Sequence, residues 1–165
     1  AMETVECWEL SLETRKTPSI LALTRQGVPA FREATEENRC AKGAYTVSGD
    51  NDAEIVLFAS GSEVSVAMDA AKELEKDKHS VRVVSVPCME LFDAQSADYR
   101  KEVIGNAKSY VAVEAGIEMG WQKYLGVNGK FVGMSTFGAS APGNQLFEHF
   151  GITAKVVVEA AKSQL

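Results

Sequence analysis

The sequence predicts an α/β fold: a three-layer open sheet, mostly parallel with one antiparallel strand, covered by helices on both faces. Two observations support this fold class. From residue 44 onward, short apolar runs alternate with amphipathic segments, and strands that recur about every 25 residues with a helix between them are typical of parallel sheets. The composition, 45% hydrophobic and 24% charged residues, is that of an ordinary globular protein.

The first 43 residues predict a different organisation. Apolar residues recur at helical spacing over 2–12, at Met2, Val5, Trp8 and Leu12. Residues 20–23, Ile-Leu-Ala-Leu, form a short apolar run typical of a strand that is buried on both faces. One helix and one interior strand cannot make a sheet, so we interpret residues 1–26 as the end of another domain. Residues 27–43 are polar and contain Gly and Pro, which predicts a surface linker.

Residues 44–165 predict one complete domain. Its strands are expected at 44–47, 55–59, 81–86, 110–113 and 131–134. Its helices are expected at 64–74, from Asp93 to Ile104, at 119–125, and in two segments near the C-terminus.

A few residues predict where these helices begin and end. Ser60 and Glu63 have the spacing of a capping box at the start of the helix over 64–74. Pro142 suits the first turn of a helix, Gly151 suits a helix end, and Thr153 suits the N-cap of the last helix.

The charge and the cysteine pattern exclude several classes of protein. The formal net charge of −6 argues against a surface for nucleic acid or for an anionic membrane. The odd count and wide spacing of Cys7, Cys40 and Cys88 fit neither a disulfide framework nor a zinc site, and they suggest free thiols in a reducing compartment. No stretch approaches the roughly 20 apolar residues that span a bilayer, and the first residues lack a signal-peptide pattern. We therefore expect a cytoplasmic protein.

No residue is predicted to be catalytic or to bind a metal. His79 lies in a polar turn and His149 near a helix end, and neither has a nucleophile motif or metal-ligand spacing. The best candidate for a binding residue is Arg25, which follows the carboxyl end of the run over 20–23. Ligands of open α/β sheets bind beyond such ends, and a guanidinium matches a phosphate or a carboxylate. From spacing alone, a surface ion pair explains Arg25 equally well.

Two turns are further candidates. Gly61 and Ser62 lie between a strand and a helix, where free backbone amides can hold an anion. A tight strand-to-helix turn is the interpretation we favour, because the spaced glycines that let a diphosphate approach are lacking. Residues 137–142, Phe-Gly-Ala-Ser-Ala-Pro, also lead from a strand to a helix, and a structural turn is favoured there too.

A series of motifs along nearly the whole chain resembles the transketolase family. Residues 18–26 resemble the family's P-S-x-x-x-L-[ST]-R-Q signature near the end of its middle domain. Residues 59–64, Ala-Ser-Gly-Ser-Glu-Val, match its A-[ST]-G-S-E-V motif. Further matches occur at 83–87, 92–95, 99–100, 113–116, 131–134, 137–142 and 146–148. Each motif is weak alone, but their order and spacing together are specific.

The resemblance implies three segments: residues 1–26 as the tail of the middle, pyrimidine-binding domain, residues 27–43 as a linker, and residues 44–165 as the transketolase C-terminal domain. It also implies a homodimeric parent enzyme of the pentose phosphate pathway that moves a two-carbon ketol unit from a ketose phosphate to an aldose phosphate. That parent would use thiamine diphosphate and a divalent metal, magnesium or calcium. Arg25 matches the family arginine that holds the sugar phosphate.

The family's metal motif, cofactor-activating glutamate and substrate histidines would all lie before residue 1. The resemblance therefore implies that this chain alone is inactive, binds no cofactor, and serves structure and dimer contact. Three alternatives stay open: the C-terminal part of another thiamine-dependent enzyme (dihydroxyacetone synthase or deoxyxylulose-phosphate synthase), a freestanding binding or assembly domain, and a nucleotide-binding domain that uses the Gly61 turn. A freestanding domain predicts that residues 2–12 and 20–23 join one core, whereas a fragment predicts that they pack poorly.

Overall fold

A five-stranded sheet forms the centre of the computed structural model, which describes residues 1–33 and 35–165. The strands are β1 (Tyr45–Ser48), β2 (Ile55–Ala59), β3 (Val81–Ser85), β4 (Ser109–Val113) and β5 (Lys130–Val132). Their order across the sheet is β1-β3-β2-β4-β5. β1 runs antiparallel to β3, and the other pairs are parallel. The predicted fold class is confirmed.

Seven α-helices and one 3-10 helix surround the sheet in the described part of the chain. The α-helices are α1 (Met2–Glu13), α2 (Glu63–Lys76), α3 (Met89–Asp93), α4 (Ala97–Ile104), α5 (Gln122–Leu125), α6 (Gly143–Phe150) and α7 (Ala154–Lys162), and the 3-10 helix spans Arg39–Lys42. None of them combines the length and the apolar character that a membrane crossing requires.

The sheet separates two apolar cores, because successive side chains of a strand point to opposite faces. On β2, Ile55 and Leu57 belong to the core that α2 and α7 cover. Val56 and Phe58 belong to the core under α3, α4 and α5. All five β2 residues are buried, as expected for a central strand with helices on both sides.

The structure corrects several local predictions. The helix expected from Asp93 to Ile104 begins later, as α4 at Ala97, where the Ser96 side chain caps it by accepting from the Tyr99 N–H; Asp93 is instead the last residue of α3. The capping box of Ser60 and Glu63 is wrong, because the N-cap of α2 is Ser62 and makes no side-chain cap hydrogen bond. Pro142 is the N-cap of α6 rather than a residue of its first turn.

The caps predicted for the C-terminal helices are confirmed. Gly151 ends α6 in the left-handed conformation, with a φ of 69°. The Thr153 side chain accepts from the Val156 N–H at the start of α7.

The strand predicted at residues 20–23 does not form. This segment has no regular structure, and the side chains of Ile20 and Leu23 are 95% and 55% exposed. A strand is stabilised by its ladder with a neighbour, and the described residues offer this segment no such neighbour. The segment predicted as a surface linker, residues 27–43, is not irregular throughout. Arg39–Lys42 forms the 3-10 helix, and Cys40 is buried there.

The N-terminal helix α1 presents its polar side to the protein and its apolar side to solvent. Val5, Trp8 and Leu12 are 61%, 51% and 73% exposed. Glu6 is buried, and its carboxylate accepts from Arg32 Nη2 at 2.5 Å and from the Cys40 N–H at 3.1 Å. Residues 1–26, all of them described, contribute no member to either apolar core. Polar contacts therefore hold α1 in place.

We predict that Glu6→Ala releases α1 while the sheet stays folded. Burial opposes ionisation of Glu6, but hydrogen bonds from Arg32 and Cys40 hold its pKa below the ordinary value, so the carboxylate is the anchor at neutral pH. Removing one partner of a buried ion pair costs about 3 kcal/mol. Native-state hydrogen exchange should therefore lose roughly 100-fold protection in α1, with β2 and β3 unchanged.

The matched control is Leu12→Gln, which changes an exposed residue of the same helix and should leave exchange in α1 unchanged. If Glu6→Ala weakened β2 as much as α1, then α1 would be an integral part of the core.

Candidate functional site at the carboxyl edge of the sheet

The register of two parallel strands brings Ser60 and Glu114 together. Ala59, the last residue of β2, pairs with Val113, the last residue of β4. The next residue on each strand is therefore at the same edge, and Ser60 Oγ donates a hydrogen bond to Glu114 Oε2 at 2.6 Å. A serine and a carboxyl that are 54 positions apart in sequence thus form one polar pair.

This pair lies where the chain reverses its direction across the sheet. After β2 the chain enters α2, which covers one face, and after β4 it continues to α5, which covers the other. Ligands of open α/β sheets bind in the crevice that opens at such a point. The carboxyl end of the β2–β4 pair is therefore the candidate functional site of this domain.

Two carboxyl groups at this edge, those of Glu114 and Glu63, have raised pKa values. Burial raises the pKa of Glu114 to about 7, the negative charge of Glu63 adds to the effect, and the hydrogen bond from Ser60 opposes it. Burial also raises the pKa of Glu63, which is 4% exposed in the first turn of α2. Glu114 can therefore accept or release a proton near neutral pH.

A cavity of about 320 Å³ opens beside the edge. The turn Ser60–Ser62 and Pro87 form one wall, and residues 20–24 and 28–32 form another. Glu3 of α1 closes a third side.

Glu3 links α1 directly to the sheet. Its Oε1 accepts from Tyr45 Oη at 2.7 Å and from Ser85 Oγ at 2.5 Å. Ser85 ends β3, so the N-terminal segment is fixed at the same edge as Ser60 and Glu114.

Arg25 lies outside this cavity. It is exposed on a bend and is not among the residues that line the cavity walls. Thr24 Oγ1 donates to Gln26 Oε1 at 2.7 Å, and the Gln26 side chain packs against Gly143 at the start of α6. Its neighbours thus place Arg25 near the start of α6, and its role in phosphate binding stays a prediction.

The predicted turn at Gly61 and Ser62 does line the cavity. Gly61 has a φ of 49°, which suits glycine, and a side chain added there would meet open space. Ser62 Oγ donates to Glu63 Oε1 at 3.0 Å. Two carboxyl groups near the turn oppose an anion whenever they are charged, and anion binding there stays a prediction.

The other sequence candidates lie elsewhere. His79 Nδ1 lies 2.6 Å from Glu54 Oε1 at the opposite end of β2, so this histidine is paired rather than simply solvated. The His149 ring packs edge-on against Phe150, at 4.8 Å between centroids. Phe137, in the turn over 137–142, is 98% exposed.

The residues of this chain do not form a metal centre in the part that the structure describes. No group of three or more His, Cys, Asp or Glu side chains there could hold an ion. The acidic edge also lacks a lysine or arginine in contact with Glu114, whose neighbours are Ser60 and Glu63. Among the described residues, the pair of Ser60 and Glu114 therefore offers a metal-bound diphosphate neither a set of metal ligands nor a positively charged partner.

Sequence reasoning missed the pair of Ser60 and Glu114. Each residue follows an apolar strand, which was a usable signal, but only the strand order shows that β2 and β4 are neighbours. Ser60 was assigned to a helix cap, whereas its hydroxyl bonds to Glu114 instead.

The raised pKa of Glu114 predicts a pH-dependent stability. The folded chain holds the proton up to about pH 7, whereas the ordinary value is 4.5. The contribution of Glu114 to the free energy of unfolding is therefore fully present below about pH 4.5. It is lost as the pH rises through 7, and the loss amounts to about 3 kcal/mol. Glu114→Gln should be as stable as the wild type at pH 5 and more stable at pH 8, measured by urea unfolding.

Glu73→Gln is the matched control, because Glu73 is exposed on α2 and its substitution removes the same charge. An equal gain in both variants at pH 8 would mean that net charge, not burial of Glu114, controls the effect.

Comparison with known proteins agrees with this architecture. A family model described as transketolase-like TK C-terminal domain matches residues 43–153. A curated transketolase from Cereibacter sphaeroides is 44% identical over 166 residues, which cover 100% of this chain and 25% of the relative.

Two solved structures extend the match to the fold. Transketolase from Leishmania mexicana is 43% identical with a TM-score of 0.87, over 99% of this chain and 24% of that chain. A Pichia stipitis transketolase in complex with sedoheptulose-7-phosphate is 35% identical with a TM-score of 0.88, over 98% of this chain and 23% of that chain. This chain spans about a quarter of the length of these relatives. Since the likeness runs through both the N-terminal segment and the sheet domain, the chain belongs to the transketolase family.

Proposed function

We propose that this chain is the C-terminal part of a transketolase, whose longer form transfers a two-carbon ketol unit from a ketose phosphate to an aldose phosphate. The observation that carries the proposal is the 44% identity over the whole chain to a transketolase four times as long. The reported relatives are named transketolases, which favours this activity over dihydroxyacetone synthase or deoxyxylulose-phosphate synthase.

We further propose that residues 1–26 are the end of the middle domain and that residues 44–165 form the C-terminal domain. Residues 27–43 would be the linker between these two domains. Two features support this division. The apolar side of α1 and the segment over 20–23 are exposed, as expected for surfaces that another part of a longer chain covers. The family match begins at residue 43, at the end of the connecting segment.

The role we propose for residues 44–165 is structural support and contact within a homodimer. Neither histidine serves Ser60 as a base, because His79 pairs with Glu54 and the His149 ring packs against Phe150. In the longer protein, thiamine diphosphate would supply the electron sink for carbon–carbon bond cleavage. We propose that it and its magnesium or calcium ion bind outside this chain.

We propose that Arg25 holds the phosphate group of the sugar. An exposed guanidinium on a bend is free to form two parallel hydrogen bonds to phosphate oxygens. The complex of the Pichia stipitis relative with sedoheptulose-7-phosphate supports a sugar phosphate as the ligand class. The contact would position the substrate and would not take part in bond cleavage.

The setting we propose for the longer protein is the pentose phosphate pathway in the cytoplasm. The three cysteines are free thiols, which suits a reducing compartment.

In the longer protein, Arg25→Ala should weaken the use of phosphorylated sugars and spare unphosphorylated ones. A charge-assisted hydrogen bond to phosphate contributes about 1.5–3 kcal/mol, so kcat/KM should fall roughly 10- to 100-fold. Steady-state kinetics with a ketose phosphate and with its unphosphorylated analogue measure the difference.

Arg15→Ala is the matched control, because Arg15 is an exposed arginine of the same segment. Equal losses for both sugars in Arg25→Ala would rule out a phosphate contact and leave the family assignment untouched.

The chain by itself should not bind thiamine diphosphate. The described residues offer no metal cluster, and the carboxyl groups of Glu114 and Glu63 oppose a diphosphate whenever they are charged. Isothermal titration calorimetry with magnesium present should show no binding heat, with the longer protein as the positive control. A micromolar Kd for this chain would contradict the proposal.

A further inference from the structure

Two of the three cysteines lie at the junction where α1 packs on the 3-10 helix. Cys7 is half-buried on the inner side of α1, and Cys40 is buried in the 3-10 helix, with 1% exposure. The Cys40 Sγ lies 3.9 Å from the carbonyl oxygen of Glu3, and Cys7 follows Glu3 by one turn on the same side of α1. The odd count and wide spacing of the cysteines predicted no disulfide framework, and only the packing of the two helices brings Cys7 and Cys40 to one junction.

The contact is held by the same carboxylate that anchors α1. Glu6, the residue before Cys7, accepts from the Cys40 N–H at 3.1 Å. The Cys40 thiol is also 3.9 Å from the carbonyl oxygen of Glu3. These two contacts hold Cys40 against the turn of α1 that precedes Cys7.

The two thiols differ in chemistry and in access. The hydrogen bond with Cys40 lowers the pKa of Cys7 against the opposing effects of burial and of Glu3 and Glu6, and nearby Arg32 contributes to the lowering. The interaction with Cys7 and burial raise the pKa of Cys40. Cys7 also lines the 320 Å³ cavity, which gives a small oxidant a route to its sulfur.

We propose that Cys7 and Cys40 are a redox pair, in which a hydroperoxide oxidises Cys7 and an intrachain disulfide to Cys40 follows. The Cys7 thiolate attacks the terminal peroxide oxygen, the O–O bond breaks, and the alkoxide or hydroxide leaves with a proton from solvent. The Cys40 sulfur then attacks the sulfur of the Cys7 sulfenic acid. The S–S bond forms, the S–O bond breaks, and the Cys40 proton leaves with the oxygen as water.

The disulfide would connect the N-terminal segment covalently to the domain that follows. In the reduced chain, polar contacts alone hold α1 on the 3-10 helix. A bond from Cys7 to Cys40 makes that attachment independent of the Glu6 anchor, and cytosolic thiols can reverse it.

The test treats the purified chain with hydrogen peroxide, blocks the remaining thiols, and maps peptides without reduction. We expect one linked peptide that joins Cys7 to Cys40, with Cys88 recovered as a blocked thiol. Cys88 lies outside this contact, beside Glu90, where burial raises its pKa. Cys88→Ala should therefore form the same link at the same rate, and Cys7→Ser should form none.

A second measurement does not depend on how a cysteine variant folds. Oxidation of Glu6→Ala should restore the protection of α1 from hydrogen exchange by at least roughly tenfold relative to its reduced form. Recovery of all three cysteines as free thiols, a link that involves Cys88, or Cys7 found only as sulfinic acid would each overturn the proposal.

Discussion

The parallel register of β2 between β3 and β4 is the constraint on which the rest of the structure depends. β2 is buried on both faces, so its alternating side chains divide the apolar residues into two cores. The same register aligns the carboxyl ends of β2 and β4. Shifting it by one residue would exchange the faces of β2 and separate Ser60 from Glu114. The fold and the candidate site therefore depend on one ladder of hydrogen bonds.

The N-terminal segment is held in place by polar contacts, whereas the sheet domain is held together by apolar packing. Its docking relies on the buried carboxylate of Glu6 and the half-buried carboxylate of Glu3 rather than on apolar area, and Val5, Trp8 and Leu12 face outward. Such an arrangement suits a segment that needs both surfaces, one polar surface toward the sheet domain and one apolar surface toward a further part of a longer chain. It also places Cys7 and Cys40 at the junction of α1 and the 3-10 helix, where a disulfide would join the N-terminal segment covalently to the domain that follows.

Elements whose residues are all buried were predicted correctly from the sequence. Polar side chains that have more than one possible hydrogen-bond partner were not. The central strand at 55–59 was predicted with its observed bounds, because a run of five apolar residues has one stable placement between two helical layers. The Ser60 hydroxyl could have capped α2 or bonded across the sheet, and local spacing could not decide between these partners. The apolar run over 20–23 has the pattern of a strand, but a strand also needs a neighbour.

The sequence by itself determined the family resemblance and the mostly parallel sheet, because apolar periodicity and ordered motifs are local properties of the chain. Only the tertiary structure decided which distant residues meet. Ser60 meets Glu114, Glu6 meets Arg32, and Cys40 packs beside the helix turn that carries Cys7. Strand order and helix docking create these contacts, and both are set by the packing of the whole chain rather than by any segment of it.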